Sequence, residues 1–217
     1  MARRVCVLMS GGLDSGVLIH RLLHTASTVT PLYIQCGLRW EAIELYWLRR
    51  FLRQSRRPNL DPLQVIRLPL DSLYGRHWSV VGRGVPGARS ADEAVYLPGR
   101  NVVLLSAAAV WCASRRISTI AIGVLQGNPF GDASPRFFTR LSACLSEALR
   151  SSIRIWAPFA RESKSALIRS AAGAPLGLTF SCLGPRGRRH CGRCNKCAER
   201  RRAFRSADVA DPTAYAS

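Results

Sequence analysis

The stretch from Val5 to Leu18 restricts this chain more than any other. Val5-Cys6-Val7-Leu8 is an apolar run of strand type, Ser10-Gly11-Gly12-Leu13-Asp14-Ser15 is a small polar turn, and Val17, Leu18 and Leu22 return at helical spacing. A tight turn between a buried strand and a helix start gathers unpaired backbone N–H groups at one point, and the helix dipole adds positive potential there. Gly11 and Gly12 let a ligand come close to the main chain, and the hydroxyls of Ser10 and Ser15 add donors. The pattern predicts a phosphate cradle. It is not the common one, because G-x-x-x-x-G-K-[ST] is absent and no lysine stands at the helix entry. A plain glycine turn with a serine cap would use the same residues, but strand and helix on either side favour nucleotide binding.

Further on, Thr28 to Ile34 reads as a second parallel strand ending in the turn Gln35-Cys36-Gly37, Glu41 to Gln54 as a helix, and Leu63 to Leu68 as a third strand. Residues 71–96 are broken by Gly75, Gly82, Gly84, Pro86 and Gly87 yet carry Tyr74, His77 and Trp78, which suits an irregular, lid-like insertion better than disorder. Arg100 and Asn101 open an apolar helix running from Val102 to Ala113, and Ile117 to Val124 is a β-branched strand. Ser134 with Pro135 starts a helix whose inward face is expected to be Phe137, Leu141, Leu145 and Ala148. Ile153 to Trp156 is a short strand, and Ser163 caps a helix from Lys164 to Ala172. Strands alternating with helices predict an α/β fold, an open parallel sheet with helices on both faces. Such sheets bind ligands at the carboxyl ends of their strands, where Ser10–Ser15, Gln35–Gly37 and Leu125–Asp132 all fall.

Cys182-x8-Cys191-x2-Cys194-x2-Cys197 has the spacing of a tetrahedral thiolate zinc site, closed and therefore structural. His190 is a rival ligand, and a disulfide framework is not expected in a chain of this length without a secretion signal. The remaining Cys6, Cys36, Cys112 and Cys144 sit singly in apolar segments and read as small buried hydrophobes. The expected division is 1–178 for the nucleotide-binding α/β unit and 179–217 for a zinc-binding segment packed on it. A net charge of +19 would suit nucleic acid, but arginines are spread everywhere and only Lys164 and Lys196 are lysines, as uniform Arg-for-Lys usage would also give. Nucleic acid is possible and not favoured. Arg186, Arg188, Arg189 and Arg193 fit charge compensation of four thiolates better than a tRNA-binding ribbon. No stretch is long enough to span a membrane, and a cytoplasmic location is expected.

Three motifs in order carry a resemblance. Ser-Gly-Gly-Leu-Asp-Ser resembles the loop of the ATP-pyrophosphatase (PP-loop) superfamily, whose members adenylate a carbonyl oxygen. With Leu97-Pro98-Gly99-Arg100-Asn101 before Leu104-Leu105-Ser106-Ala107-Ala108, and with Ser181-Cys182 through Cys197, the chain from Val5 to Tyr215 resembles the 7-cyano-7-deazaguanine synthase (QueC-type) family. The resemblance implies an adenine nucleotide alpha hydrolase-like fold, ATP, Mg2+, one structural Zn2+ per chain and a homodimer. It also implies conversion of 7-carboxy-7-deazaguanine and ammonia to a nitrile, through an activated carboxylate and an amide, in queuosine and archaeosine precursor synthesis. By position, Ser10, Gly11, Gly12, Leu13, Asp14 and Ser15 would hold the ATP phosphates. Asp14, Lys164 and Arg100 would be catalytic, and Arg100, Asn101 and Asp132 would bind the acid. Cys182, Cys191, Cys194 and Cys197 would hold the metal. Asn128 to Arg136 departs from the family's Tyr-Pro-Asp-Cys-Arg-Pro, and Gln35 to Trp40 from its Tyr-Gly-Gln type. Both changes touch the expected acid pocket. Two other enzymes therefore stay open: a paralogue joining a deazaguanine-type acid to another amine or a protein, and a tRNA-modifying relative that adenylates a base. A reactive cysteine pair expected of the latter is missing, since Cys36 is alone near the loop. A zinc-ribbon adaptor would have no use for the Ser10–Ser15 loop.

Overall fold

Val5, Cys6 and Val7 have no wet face, so their strand must lie in the middle of a sheet with helices above and below. The computed structural model, which describes residues 4–216, places it there. The strands β1 (Arg4–Met9), β2 (Thr28–Gln35), β3 (Gln64–Arg67), β4 (Thr119–Ala121) and β5 (Arg154–Trp156) form one all-parallel sheet in the order β3-β2-β1-β4-β5. Val5 pairs with Val29 on one side and Thr119 on the other. The order reverses between β1 and β4, which opens a crevice beyond their carboxyl ends.

Alternate β1 side chains serve the two faces. Val5, Val7 and Met9 meet α1 (Leu13–Leu22), α2 (Glu41–Gln54), α7 (Lys164–Arg169) and α8 (Asn195–Ala207). Cys6 and Leu8 meet α5 (Arg100–Ala113) and α6 (Pro135–Leu149). Pro31 stands inside β2, where a missing N–H would normally cost a ladder bond. Val29, of the same parity, sends its N–H to Asn59 on the β3 side, and the β3 ladder begins only at Leu32. Pro31 thus turns its nitrogen where no ladder has started.

Several expected boundaries move for physical reasons. The inward residues of α6 are Phe138 and Leu145, while Ala148 is exposed. The helix is rotated because Ser142 and Ser146 accept N–H bonds from Ile155 and Ile153 at 2.9 and 3.0 Å, covering the β5 edge. β4 is shorter than Ile117 to Val124 because the chain must thin at Gly123: a Cβ there would lie 2.9 Å from the Asp14 carbonyl carbon. The helix begun by Ser163, whose hydroxyl caps Ala166 N–H, ends at Arg169 instead of Ala172. Cys6, Cys36 and Cys112 are buried as expected, but Cys144 is exposed on α6.

Residues 71–96 form α3 (Asp71–Tyr74), α4 (Trp78–Val81) and a 3-10 turn, Asp92–Val95. Trp78 stacks on Trp40 at 5.6 Å, and Pro86 accepts the Asn195 N–H at 2.9 Å, so the insertion is tied to both α2 and α8. No helix among the described residues is long and apolar enough to cross a membrane.

Candidate active site and metal centre

The Ser10–Ser15 loop lies where β1 gives way to α1. Gly11 has a φ of +68°, and a Cβ on it would come within 2.7 Å of Glu44 Cγ, so only glycine fits. Gly12 caps α1 without a side-chain bond, which leaves the helix start to a ligand. The two serines turn inward instead: their hydroxyls are 3.1 Å apart, and Ser15 Oγ also donates to Gly12 O at 3.2 Å. The tail supports the loop from behind, with Phe180 N–H donating to Gly11 O at 2.7 Å.

Asp14, on α1, faces charged side chains from two other helices. Its Oδ2 is 3.4 Å from Lys164 Nζ, and Lys164 also pairs with Glu199, which accepts from Lys196 Nζ at 2.6 Å. Asp14 Oδ1 is buried with no hydrogen-bond partner, an oxygen that a divalent cation would satisfy. Burial raises the Asp14 carboxyl above its ordinary range, against the pull of Lys164. For Lys164, burial alone would lower the ammonium, but Asp14 and Glu199 outweigh it and hold the proton on. Asp14, Lys164, Lys196 and Glu199 line a cavity of about 180 Å3 that Gly123, Asn128 and Phe130 also border.

Those three residues are shared with a second cavity of about 210 Å3, lined by Ser10, Ser15, Tyr33, Arg100, Asn101 and Asp132. The two chambers therefore make one crevice around the β1 and β4 ends. Arg100 Nε is buried there without a partner. Tyr96 and Phe130 stack at 4.8 Å and give the chamber a flat aromatic wall. Asp132 has a structural duty: its Oδ2 accepts Asn101 N–H at 3.0 Å, and its carbonyl accepts Asn101 Nδ2 at 3.1 Å. That carboxylate caps α5, an arrangement no local motif announces.

Sequence reading passed over Glu41 and Glu44, although two acids in the first turn of a helix following a strand-end turn are a visible signal. Glu41 accepts the N–H groups of Cys36 and Gly37 at 2.8 and 2.9 Å and fixes that turn. Glu44 lies under Gly11 and accepts the Tyr33 hydroxyl at 2.6 Å. Burial pushes its carboxyl up to about 8, opposed by the Tyr33 bond and Arg100. A proton held in the folded state and absent from the unfolded one makes stability fall as pH rises. The fall begins above the unfolded carboxylate range and ends near pH 8, at up to about 1.4 kcal/mol per pH unit for one proton. Glu44→Gln is expected to flatten that slope between pH 5 and 8 in denaturant titrations. An unchanged slope would place the charge on Glu44 throughout.

The four expected metal ligands come together. Sγ atoms of Cys182, Cys191, Cys194 and Cys197 all lie within 4.8 Å of one another and are buried. Separations of 3.4, 3.9 and 4.0 Å for three of the pairs sit around the edge, about 3.8 Å, of a tetrahedron with metal–sulfur bonds near 2.3 Å. Cys182 and Cys194 sulfurs accept N–H bonds from Cys191 and Leu183, at 3.2 and 3.5 Å, as thiolates do. His190 is not part of the cluster. Its Nε2 accepts Ser181 N–H at 3.2 Å, and burial, reinforced by Arg200, lowers the imidazole to about 3 and keeps it neutral.

The family model described as "Queuosine biosynthesis protein QueC" matches residues 4–208. The chain belongs to the QueC family. It is 31% identical to the 7-cyano-7-deazaguanine synthase of Anaeromyxobacter dehalogenans, over 99% of this chain and 97% of the relative. Identity to the protein of the same name from Methanoculleus marisnigri is 32%, over 99% of each. Among solved structures, it resembles a 4-thiouridine synthetase in complex with RNA and bound ATP (TM-score 0.54, 13% identity, 95% of this chain and 50% of that one). It also resembles the U34-tRNA thiolase NcsA from Methanococcus maripaludis with its [4Fe-4S] cluster (TM-score 0.52, 11% identity, 97% and 74%). At such identities the likeness speaks for the fold alone, an open parallel α/β sheet. In this QueC-family chain, Lys196 and Glu199 are the site neighbours that motif reading left aside.

Proposed function

We propose that the chain is a 7-cyano-7-deazaguanine synthase, using ATP to turn 7-carboxy-7-deazaguanine and ammonia into the nitrile. The observation that carries this reading is the single crevice in which the Ser10–Ser15 loop, Arg100 and Asp132 meet at the β1–β4 reversal. Family membership and the shared name of the relatives support it.

A carboxylate is a poor electrophile, and adenylation turns one of its oxygens into part of a leaving group. Attack by ammonia on the acyl carbon then expels AMP and gives the amide. Losing the amide oxygen to form the nitrile takes a second activation of the same kind. The protein's share is orientation and neutralisation of charge, with no cysteine nucleophile needed. Backbone N–H groups of Gly11 to Asp14, with Leu13 opening the helix, would hold phosphate, and Ser10 and Ser15 would exchange their mutual bond for phosphate oxygens. Asp14 Oδ1 would hold Mg2+, whose role when bound is to screen phosphate charge. Lys164 would steady the departing pyrophosphate. Arg100 Nε would meet the reacting carboxylate, the ring would lie along Tyr96 and Phe130, and Asp132 Oδ1 would accept from its N–H edge.

In this reading residues 1–178 are the ATP-binding unit, with 71–96 closing over the crevice, and 179–217 are the zinc segment. Four thiolates close the coordination of Zn2+ and leave no position for a reacting water, so the ion folds the tail. A homodimer in the cytoplasm completes the proposal, with a small-molecule acid favoured over nucleic acid as its substrate.

Mass spectrometry of a reaction containing protein, ATP, Mg2+, ammonia and 7-carboxy-7-deazaguanine tests it. The nitrile is the expected product. Asp132 has already spent Oδ2 on α5, and this favours one second reading, a paralogue joining a related acid to another amine. Amide or adenylate without nitrile would select that paralogue, and no ATP-dependent change would exclude this acid.

A further inference from the structure

Of 32 basic side chains only two are lysines, and both reach the same carboxylate. Lys164 on α7 and Lys196 on α8 pair with the two oxygens of Glu199, beside Asp14. Lys196 and Glu199 belong to the helix that Cys194 caps and Cys197 enters, so the metal-holding helix also furnishes half of this cavity. We propose that Lys196 is a second phosphate-binding residue of the nucleotide site, with Glu199 as its positioning residue. The inference rests on the nucleotide reading of the Ser10–Ser15 loop and goes beyond it.

Three observations point the same way. Lysine in a chain that otherwise uses arginine is what a narrow cavity asks of a phosphate ligand: a compact ammonium with three rotatable donors, not a planar fork. An i,i+3 pair at a partly exposed helix start contributes little to stability, so folding does not explain it. The third is the unpartnered, buried Asp14 Oδ1 in the same cavity, which marks the group as incomplete without a ligand. Two carboxylates and two ammoniums carry no net charge and would not draw a bare anion. They match a phosphate chain with its divalent cation, Asp14 taking the cation and the ammoniums the phosphate oxygens. Glu199 keeps both ammoniums within reach of the loop until the phosphates arrive.

Calorimetric titration of the metal-loaded protein with MgATP, magnesium pyrophosphate and AMP decides it. Lys196→Ala is expected to weaken MgATP and pyrophosphate about tenfold, the size of one charge-assisted contact, while AMP stays within about twofold. Lys196→Met, which keeps the length of the side chain, should behave alike. Glu199→Gln should weaken MgATP several-fold, again sparing AMP, with metal content per chain unchanged. Equal losses for ATP and AMP would make Lys196 merely structural, and undiminished MgATP binding would take it out of the site. Either result overturns the inference. A wild-type protein that binds no MgATP would bring down the nucleotide reading with it. One that binds MgATP through Lys196 yet makes no nitrile would leave the inference standing and remove only the proposed acid.

Discussion

Asp14→Ala is expected to abolish ATP turnover and leave the fold in place. Asp14 Oδ1 has no bond within the protein to lose, and Lys164 keeps Glu199 as its partner when Asp14 is gone. What the fold forfeits is a negative charge in the first turn of α1, about 0.3–1 kcal/mol of dipole interaction, offset by relief from burying a carboxylate. What the reaction forfeits is the unpartnered carboxylate oxygen of the proposed cation site. A loss on the order of a thousandfold is the scale for removing a preorganised electrostatic contact of this kind. Pyrophosphate release and a thermal melt, run side by side, separate the two. Asp14→Asn should show the same loss with the shape preserved, and turnover at the wild-type rate in either variant would remove Asp14 from the chemistry.

Cys197→Ser should have the largest effect on the folded state. Cys197 is fully buried, with its sulfur 3.4 Å from that of Cys194 and 3.9 Å from that of Cys191. Structural zinc in small domains contributes apparent binding energies of about 10–16 kcal/mol, so losing even a third of that is several kcal/mol. At roughly 2–4 °C per kcal/mol for a chain of this size, the melting temperature should fall by about 10 °C or more. Purified variant should hold well under one zinc per chain, and amide exchange should speed up in α8 and in residues 86–95, which hang on Asn195. A variant that melts like the wild type with no metal bound would show that the cluster does not hold the tail.

Much of this was legible because it depends on local chemistry. β1, the glycine turn and α1 follow from an apolar run, two glycines and helical spacing, and α2 runs from Glu41 to Gln54 as its apolar periodicity predicts. Cysteine spacing alone brought the four sulfurs together on paper, and the fold brings them together in space. The unread parts depend on partners far away in the chain. Phe138 replaces Phe137 on the inner face of α6 because two serines answer the N–H groups of Ile153, just before β5, and of Ile155 within it. Asp132 caps a helix whose second residue, Asn101, lies 31 positions earlier, and nothing near it in sequence says so. Lys196 and Glu199 drew no reading as a pair, since only the packing of α7 against α8 sets them beside Asp14. Rarity of lysine was the one available hint.

The contact between Phe180 N–H and Gly11 O has a consequence for how the molecule is made. A ribosome delivers the Ser10–Ser15 loop long before it delivers Phe180, Lys164 or Glu199. Throughout that interval the loop has its own turn but neither the backbone bond behind it nor the charges in front. A nascent or prematurely ended chain therefore carries the most recognisable motif of the molecule in an unfinished state. Under the proposed zinc reading, the ion would fix the segment from which Phe180 reaches back to the loop, so support for the first motif to be made would come from the last part of the chain.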